Sequence, residues 1–514
     1  MLAAIRSAAV LGIDAYDVTV ETDAANGLPQ FTVVGLPAGA VRESRERVSA
    51  ALVNSGFTLP PRRLTINLAP ADVRKEGTAF DLPIALGILV ATGQLPAESV
   101  AQLIVVGELG LDGSIRAIRG VLPMARAAAR APDRPTFVIP PVNAAEASLV
   151  GGLRLSAPET LAALVGALHR GALPVPAAEL PNATAESEHL DLADVAGQDA
   201  ARRALEVAAA GGHNLLLIGP PGAGKTMLAR RLPGILPALT EDERLEATAI
   251  HSVAGTLSGG VLTSRPFRAP HHSVSSAGLV GGGSAPRPGE VSLAHHGVLF
   301  LDELLEFPRS VLDALRQPLE EGRVIIARAN ASVAFPARFT LVGAMNPCPC
   351  GYAGDPAHGC SCASADIARY RSRLSGPLAD RIDMHVTVGA VPIDLLSGRG
   401  GESSASVRAR VEEARAAQRT RYAALRAVQC NAHVSGRWLD SRGEIGAAAR
   451  AMLIAAANRL SLSARGYHRV LKVARTIADL DGERAISEVQ VAEALRYRPA
   501  ATASTPLHAV VAER

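Results

Sequence analysis

The residues with the clearest chemical capacity form one continuous stretch, Gly219, Pro220, Pro221, Gly222, Ala223, Gly224, Lys225 and Thr226. This spacing is typical of a phosphate-binding loop, in which glycines let backbone N–H groups turn towards phosphate oxygens. Lys225 would reach the β- and γ-phosphates, and the Thr226 hydroxyl would hold Mg²⁺. Because the chain has only three lysines and otherwise uses arginine, chance is a poor explanation for a lysine here.

A second group of candidates lies at the ends of two later apolar runs. Asp302 and Glu303 end the run at residues 297–301, and Asn346 follows the run at 339–345. Such an acidic pair can hold Mg²⁺ through water and polarise the attacking water, while an amide can sense the γ-phosphate. Alone, the pair would more often be a solvated strand end or a helix cap. Beside a phosphate-binding loop, it favours catalytic Glu303 and metal-holding Asp302.

These residues need a scaffold that brings them together. The short apolar run at 214–218 predicts a buried parallel strand before the loop, and residues 227–231 continue as a helix. Open α/β sheets bind ligands at the carboxyl ends of their parallel strands. The three predicted strands would therefore place the loop, the acidic pair and Asn346 side by side.

The order of these motifs resembles that of AAA+ ATPases, and residues 194–198 resemble the adenine-side entry of that superfamily. The runs at 265–272, 289–296 and 346–351 narrow the resemblance to the magnesium-chelatase-like AAA+ ATPases of the ComM/YifB competence-protein type. The resemblance covers nearly the whole chain. It implies ATP and Mg²⁺ as cofactors, a homo-hexameric ring, and a DNA helicase that promotes branch migration on single-stranded or branched DNA during natural transformation and recombination.

The same resemblance implies two further nucleotide contacts. In such rings an arginine of the neighbouring subunit meets the γ-phosphate, and the segment 375–383 resembles the stretch that carries it. Arg381 is the first candidate and Arg373 the reserve. A C-terminal stretch resembles the second sensor region, in which Arg465 is preferred to Arg469. From the residues alone, each of these arginines could equally be a solvated surface residue.

Four of the five cysteines form two close pairs, Cys348 with Cys350 and Cys360 with Cys362. In a reducing compartment, close thiol pairs bind metal more often than they form disulfides, and four thiolates suit tetrahedral zinc. The sequence therefore indicates a candidate structural Zn²⁺ site. Reduced thiols without metal and a redox switch stay open as alternatives, and His358 could replace one ligand.

Two pairs of adjacent histidines, at 271–272 and 295–296, also resemble metal ligands. Adjacent side chains point in different directions on any regular element. We therefore expect packing or polar contacts from these pairs, and no catalytic assistance.

The chain divides into three predicted folded regions, so that its class is α/β. Residues 1–175 resemble an N-terminal Lon-protease-like α+β domain, 191–396 form the P-loop AAA+ α/β core with a cysteine insertion at 348–362, and 406–500 form a C-terminal helical lid. Residues 176–190 and 397–405 are predicted linkers, and 501–514 a tail.

Proteolysis in the Lon family needs a serine nucleophile activated by lysine. At the expected serine region this chain reads Ala79, Phe80 and Asp81, and the region around Arg119 contains no lysine. An arginine cannot serve as the neutral base because it stays protonated. The domain is therefore predicted to be non-proteolytic, acting as a scaffold, a ring spacer or a DNA contact.

Composition constrains the choice of partner. With 52 basic and 49 acidic residues the net charge is +3, so DNA binding cannot be argued from bulk charge. A contact would be local, and the candidates are a predicted hairpin at 323–335 with Arg328 near its tip and the pair Arg62 and Arg63. The hairpin could instead pack against a neighbour.

The apolar runs are too short for a membrane protein. None approaches twenty uninterrupted residues, and the first residues lack the long apolar core of a signal peptide, which favours a cytoplasmic location and no membrane contact. A chelatase-type or protein-remodelling ATPase that does not act on DNA is the alternative function. A non-enzymatic regulator is disfavoured because the full set of nucleotide-site residues is present.

Overall fold

The computed structural model describes residues 2–73, 75–176, 190–257, 260–283, 286–328, 331–355, 358–391, 401–425 and 428–498, without the side chains of Arg328 and Ala331. Residues 177–189 of the first predicted linker and 397–400 of the second lie outside these residues, and the predicted tail lies entirely outside them. Within the described residues, no helix is both long enough and apolar enough to cross a membrane.

The N-terminal part is a mixed sheet with helices packed against it. Its strands are β1 (Leu2–Leu11), β2 (Asp14–Ala25), β3 (Gln30–Val34), β4 (Arg63–Ala69), β5 (Leu103–Val105), β6 (Glu108–Leu109), β7 (Ile115–Arg116), β8 (Thr136–Val138) and β9 (Arg154–Ser156). Its helices are α1 (Gly39–Arg42), α2 (Ser44–Asn54), α3 (Asp81–Ala91), α4 (Val121–Arg130), α5 (Ala144–Ala147) and α6 (Leu161–Arg170). Seven strands form the sheet, in the order β3-β4-β2-β1-β5-β8-β9.

The long antiparallel pair β1–β2 is the centre of this sheet, and α3 packs against it. All eleven residues of α3 are buried because its sequence is apolar apart from Asp81 at its start. Arg47 neutralises that buried carboxylate, with 2.7 Å between Arg47 Nε and Asp81 Oδ2. The apolar runs at 31–35, 64–68 and 103–107 predict strands, and the structure has β3, β4 and β5 there.

The central part contains a second sheet, which is entirely parallel. Its strands and two attached hairpins are β10 (Leu215–Ile218), β11 (Phe267–Arg268), β12 (Gly281–Gly282), β13 (Arg287–Pro288), β14 (Val298–Leu301), β15 (Arg323–Arg328), β16 (Ala331–Pro336), β17 (Thr340–Met345) and β18 (Met384–Thr387). The order in the sheet is β11-β14-β17-β10-β18. The hairpins β12–β13 and β15–β16 stand outside it, and the second confirms the hairpin predicted at 323–335.

Helices cover this parallel sheet. They are α7 (Asp199–Gly211), α8 (Lys225–Ile235), α9 (Glu241–Ala254), α10 (Ser276–Val280), α11 (Glu290–Leu293), α12 (Arg309–Ala314), α13 (Arg316–Glu321), α14 (Ser364–Arg371) and α15 (Gly376–Ala379). The register sets Ile218 beside Met345 and Leu301 beside Gly343. The carboxyl ends of β10, β14 and β17 therefore meet at one edge of the sheet, as predicted.

The C-terminal part is helical and shares its core with the central sheet. Its helices are α16 (Ser404–Arg421), α17 (Gly436–Arg442), α18 (Ala447–Arg459), α19 (Ala464–Leu480) and α20 (Glu488–Arg496). One apolar cluster joins Leu215 and Val342 of the sheet to Val411 of α16 and Ile477 of α19. The helix predicted from Ser406 to about Arg426 instead starts two residues earlier, where the Ser403 side chain caps it, and ends at Arg421.

Helix α9 connects the N-terminal part to the central part. The backbone N–H of Gly120 donates to the carbonyl oxygen of Ser252 on α9 at 3.1 Å. Glu146 is buried at this junction, where its carboxylate accepts from the Ser252 hydroxyl and, at 2.7 Å, from the backbone N–H of Leu122. Burial raises the pKa of Glu146, so the ionised form is held at a cost in the folded protein.

We predict opposite effects for two substitutions of Glu146. Glu146→Ala leaves the buried N–H of Leu122 without its acceptor, which costs about 1–3 kcal/mol and lowers the melting temperature. Glu146→Gln keeps an acceptor and removes the buried charge, so it should melt at or above the wild-type temperature at neutral pH.

The pH dependence of stability shows whether the buried charge of Glu146 stabilises or destabilises the folded protein. Because the folded pKa of Glu146 lies above the unfolded one, stability is lost as pH rises from the unfolded pKa through the folded pKa. The advantage of Glu146→Gln in differential scanning fluorimetry should therefore be larger at pH 8 than at pH 5. Ser148→Ala, on the exposed side of the same segment, is the control. A Glu146→Ala protein that melts with wild type would contradict the assigned role.

Candidate active site

The phosphate-binding loop lies between β10 and α8, and its glycines meet a steric requirement. Gly222 and Gly224 have φ angles of +76° and +84°, which favour glycine. A Cβ atom at Gly219 would lie 2.1 Å from the carbonyl oxygen of Val388, so only glycine lets the loop pass the end of β18. Helix α8 begins at Lys225, and its free N–H groups face an anion site at the loop.

The ammonium group of Lys225 is held by the loop itself. Its Nζ donates to the carbonyl oxygens of Gly219 and Pro220 at 2.7 and 2.8 Å and to Asn346 Oδ1 at 3.1 Å. Burial lowers the pKa of Lys225, while Asp302 and Glu303 oppose that shift. A cation whose direct partners are neutral oxygens, beside a glycine loop and a helix N-terminus, fits a polyphosphate ligand.

Thr226 and Asp302 form the oxygen pair suited to Mg²⁺. The Thr226 hydroxyl donates to Asp302 Oδ2 at 2.6 Å, and Asp302 Oδ1 accepts from the backbone N–H of Glu303 at 3.0 Å. Hydroxyl and carboxylate oxygens are the ligands that Mg²⁺ prefers, usually together with water and substrate phosphates. The two residues are 76 positions apart, and the parallel sheet brings them into contact.

Glu303 is placed to meet water. Its backbone is left-handed, with φ of +50°, and 61% of its side chain is exposed. His272 Nδ1 lies 3.6 Å from Glu303 Oε2, and the His272 ring also meets the edge of Phe307. Sequence reasoning expected only packing or polar contacts from this histidine and missed its position beside Glu303. The only signal was the His–His pair in the run at 265–272.

Asn346 and Gln198 complete the edge around the loop. Asn346 reaches Lys225 from the end of β17, the place predicted for it. Gln198 lies in the segment predicted as the adenine-side entry, and its Nε2 donates to the carbonyl oxygens of Ala223 at 3.3 Å and Gly389 at 2.6 Å. This entry segment therefore joins the phosphate-binding loop to the chain after β18.

Arg381 lies at the opposite edge of the same sheet. Its carbonyl oxygen accepts from Asn214 Nδ2, just before β10 begins, whereas the phosphate-binding loop follows the end of β10. Four strand residues separate the two edges, which is roughly 13 Å. The guanidinium pairs with Glu320 at 2.6 Å and is 17% exposed. The structure does not bring Arg381 to its own loop.

The other candidate arginines divide between the two edges. Arg469 is buried and lies 3.4 Å from Asp383 Oδ1, at the edge where strands begin. Arg465 is exposed one turn earlier in α19. Arg373 instead donates to the carbonyl oxygen of Leu305 at 3.1 Å, near the turn that follows Glu303.

The four predicted cysteine ligands converge. Their sulfur atoms all lie within 4.8 Å of one another, and Cys348 is fully buried. His358 does not join them: its side chain is 63% exposed, and its Nδ1 lies 3.3 Å from Asp355. The fifth cysteine, Cys430, is buried elsewhere, beside Gly212.

A second cluster, Glu246 with His295 and His296, resembles a metal site but is a proton-sharing network. A φ of +57° at His296 turns both rings to one side, so Glu246 Oε2 lies 3.2 and 2.9 Å from their Nε2 atoms. The prediction of polar contacts from this pair is confirmed, and both rings face Glu246 because the pair lies in a turn outside any helix or strand. His295 Nδ1 accepts from the backbone N–H of Arg338 at 2.9 Å, so its Nε2 carries the proton and donates to Glu246.

The protonation states of this network follow from burial. Burial lowers the pKa of His295 to about 4, so the ring is neutral at physiological pH. The two histidines in turn lower the pKa of Glu246. A metal on Nε2 of His295 would require a proton on Nδ1, where the Arg338 N–H already points. The network thus fastens α9 to the segment before β14 without a metal.

A cavity of about 1380 Å³ lies beside the phosphate-binding loop. It touches the loop at Gly219 and Pro220 and is bounded by the chain after β18 and by α20. Lys225, Thr226 and Asp302 are half-buried and do not line it. The cavity is therefore a space beside the loop, next to the side chains proposed to bind phosphate.

A second cavity of about 930 Å³ lies where the N-terminal part meets the central part, with Thr78, Ala79 and Arg119 on one side and Val253, Arg287 and Val333 on the other. Among the described residues that line it there is no serine, lysine, cysteine or histidine. Lys75 is nearby in sequence but fully buried. The cavity therefore presents no serine–lysine pair.

Comparisons with known proteins give a consistent assignment. The family model described as "Magnesium chelatase, subunit ChlI" matches residues 191–395, "Subunit ChlI of Mg-chelatase" matches 20–143, and "Magnesium chelatase, subunit ChlI C-terminal" matches 401–498. The N-terminal match is to the chelatase subunit, so the likeness of this region to Lon stays a prediction.

Individual relatives cover nearly the whole chain. It is 47% identical over 505 residues to competence protein ComM of Haemophilus influenzae, which covers 97% of each chain. It is 43% identical over 507 residues to the YifB protein of Escherichia coli, again 97% of each. The 67 kDa magnesium-chelatase subunit of Chlorobaculum tepidum is 31% identical over 158 residues, 30% of this chain and 23% of that one. The chain therefore belongs to the magnesium-chelatase-like family of ComM and YifB.

Proposed function

We propose that this protein is an ATP-hydrolysing AAA+ ring motor that acts on DNA, as a helicase or branch-migration factor in natural transformation and recombination. One observation carries the proposal. Lys225, the Thr226–Asp302 pair, Glu303 and Asn346 come from three different strand ends and meet at one edge of the parallel sheet. The family supports an ATPase, and the printed name of the Haemophilus influenzae relative refers to competence.

Each residue of this edge has a distinct proposed role. The loop and Lys225 bind the phosphates of ATP, and Thr226 and Asp302 hold Mg²⁺, which would neutralise charge on the phosphates. Glu303, exposed and left-handed, orients and deprotonates the attacking water. Asn346 reports the γ-phosphate because its amide already contacts Lys225. His272 is a positioning residue for Glu303.

The site is proposed to be completed by a second copy of the chain. Arg381 lies at the edge of the sheet opposite its own loop, and Arg465 is exposed. In a homo-hexameric ring, the edge where strands begin could face the neighbour's loop, so that Arg381 supplies transition-state charge and Arg465 a second contact. A heterologous ring interface of this kind repeats around the closed assembly.

The hairpin β15–β16 is the proposed DNA contact. Val324, Ile326, Val333 and Phe335 are buried on one face, which anchors the hairpin against the rest of the protein. Arg323 and Ile325 are on the exposed face, and the side chain of Arg328 lies outside the described residues. The described residues of that exposed face include no aromatic ring for base stacking, so the contact would be electrostatic, through phosphates.

The remaining parts have supporting roles in this proposal. The N-terminal part, whose cavity with the central part presents no serine–lysine pair, serves as a non-proteolytic scaffold. The proposed cofactors are ATP with Mg²⁺ at the loop and Zn²⁺ at the four converging cysteines. A chelatase-type or protein-remodelling motor is the second candidate, favoured by the family models that match all three parts.

Two substitutions should separate binding from hydrolysis. Lys225→Ala removes the cation at the phosphates, so fluorescent-nucleotide binding and turnover should both fail. Glu303→Gln removes the general base, so turnover should fall by about 10²–10⁴-fold while ATP binding persists. Glu306→Gln, an exposed carboxylate on the following turn, is the matched control and should hydrolyse ATP normally. Full turnover by Glu303→Gln would refute its role.

Mixing two inactive variants tests whether Arg381 acts on the neighbour. Arg381→Ala and Lys225→Ala should each be inactive alone. In a 1:1 mixture, a Lys225→Ala subunit would lend Arg381 to an intact loop beside it, restoring roughly a quarter of wild-type turnover from random pairing of subunits. A mixture of Lys225→Ala with the double variant has no such pairing and must stay inactive. If the first mixture is equally inactive, the arginine does not act between subunits.

DNA stimulation distinguishes the two candidate functions. Steady-state ATP hydrolysis should rise with single-stranded DNA and lose that stimulation as salt increases, with Lys225→Ala as the blank. Arg328→Ala should weaken the stimulation and reduce the salt dependence by about one phosphate contact. Arg309→Ala, a highly exposed arginine on α12, controls for general loss of positive charge. Hydrolysis indifferent to DNA would favour the chelatase-type or protein-remodelling motor.

A further inference from the structure

The two cysteine pairs form one compact group of sulfur atoms. Cys348 Sγ lies 3.3 Å from Cys350 Sγ and 3.6 Å from Cys360 Sγ, and the latter two are also 3.6 Å apart. Cys362 Sγ completes the group, 3.4 Å from the backbone nitrogen of Cys350. We call Cys348–Cys350 the first hook and Cys360–Cys362 the second. The two hooks are separated by nine residues in sequence, and their sulfur atoms converge on a common centre.

These separations match a shared metal. Sulfur atoms at the corners of a tetrahedron around Zn²⁺, each about 2.3 Å from the metal, are about 3.8 Å apart. A disulfide would bring two of them to about 2.05 Å. The observed distances of 3.3–3.6 Å are close to the tetrahedral value and far from the covalent one.

The surroundings of the sulfur atoms suit thiolates. The backbone N–H of Cys350 points at Cys362 Sγ, and that of Ala353 points at Cys348 Sγ at 3.3 Å. Such N–H groups stabilise the negative charge of metal-bound sulfur. Cys348 is fully buried while Cys360 is exposed, so the site has a closed inner side and an outer side through which an ion can enter.

The cysteine group lies directly against the phosphate-binding loop. Gly351, next to Cys350, has a φ of +91°, and a Cβ atom there would lie 2.6 Å from Pro221 Cδ. The same hook begins two residues after Asn346, whose side chain contacts Lys225. Pro221 and Lys225 are thus both touched by the segment that carries the first two cysteines.

We propose that Cys348, Cys350, Cys360 and Cys362 bind one Zn²⁺ ion, and that this metal centre fixes the hook against the phosphate-binding loop and so sets the protein's affinity for nucleotide. The coordinating hooks lie on both sides of the 351–359 loop, and the second one leads into α14. There Arg371 Nε donates to the carbonyl oxygen of Pro347 at 3.1 Å. The metal and this hydrogen bond would both join the segment that starts at Pro347 to the segment that ends in α14.

The coupling follows from what the metal restrains. Without the metal, the first hook loses its link to the second hook. Gly351 is then held less firmly against Pro221 of the phosphate-binding loop. Asn346 and Pro221 then lose a common support, and the loop is less well ordered before nucleotide binds. The inference rests on the proposed function only in naming the loop's ligand as a nucleotide.

Metal content is the first measurement. Full-length protein purified from zinc-supplemented medium should carry one zinc per chain by mass spectrometry, and Co²⁺ exchange should give the absorption of tetrahedral cobalt–thiolate. Cys360→Ser, at the exposed ligand, should lose the metal and the cobalt spectrum. Cys430→Ser, at the cysteine outside the group, should retain both. Zinc-free wild-type protein without a cobalt spectrum would overturn the metal site.

Hydrogen–deuterium exchange is the second measurement, because it does not depend on catalysis. Backbone exchange at residues 215–228 should accelerate in Cys360→Ser and in chelated wild type, and slow again when zinc is restored. Gly351→Ala should keep its zinc but show the same acceleration, since its Cβ would collide with Pro221. Fluorescent-nucleotide affinity should fall roughly tenfold in each case.

The outcomes are distinct. Zinc present but exchange and affinity unchanged on its removal would overturn the coupling and leave a purely local metal site. A Lys225→Ala protein that binds nucleotide as wild type does would instead refute the proposed nucleotide site. The zinc content and the exchange data would still decide whether the metal fixes the first hook against the phosphate-binding loop.

Discussion

The parallel order of five central strands is the constraint on which the rest of the structure depends. Because β10, β14 and β17 are adjacent and point the same way, residues as far apart in sequence as Lys225 and Asn346, 121 positions, meet at one edge. Reversing any one of these strands would carry its terminal residue to the other side of the sheet. This arrangement positions the phosphate-binding loop, the Thr226–Asp302 pair and the first cysteine hook.

The same sheet also explains why Arg381 lies away from the phosphate-binding loop of its own chain. Functional candidates lie at both ends of the parallel strands. The phosphate-binding residues follow the carboxyl ends, while Arg381 and Asp383 precede β18 at the amino ends. Asn214 lies between them, accepting from the N–H of Leu341 and donating to Arg381, so the start of β10 is fixed to the arginine segment. A strand of four residues is short enough for the two edges to be positioned as one rigid unit.

Much of this edge could be predicted from sequence because its residues obey local rules. Glycine spacing, an apolar run and a terminal acid or amide specify the loop, Asp302, Glu303 and Asn346 without knowledge of distant contacts. What could not be predicted depended on tertiary packing or on a single unusual backbone angle. The contact of His272 with Glu303 depends on the tertiary fold. The two rings at 295–296 face the same way because the backbone of His296 is left-handed. The position of Arg381 at the edge where strands begin depends on how β18 pairs with β10. Cysteine spacing suggested convergence, but not that Gly351 would rest on Pro221.

Helix α9 has fixed attachments near both of its ends. Ser252, close to its C-terminus, is bonded to the N-terminal part through Gly120 and Glu146, while Glu243, in its first turn, lies 3.6 Å from His296 Nδ1 just before β14. A helix of 14 residues is about 21 Å long. It therefore ties the N-terminal sheet to the segment that leads into β14, the strand that Asp302 and Glu303 follow.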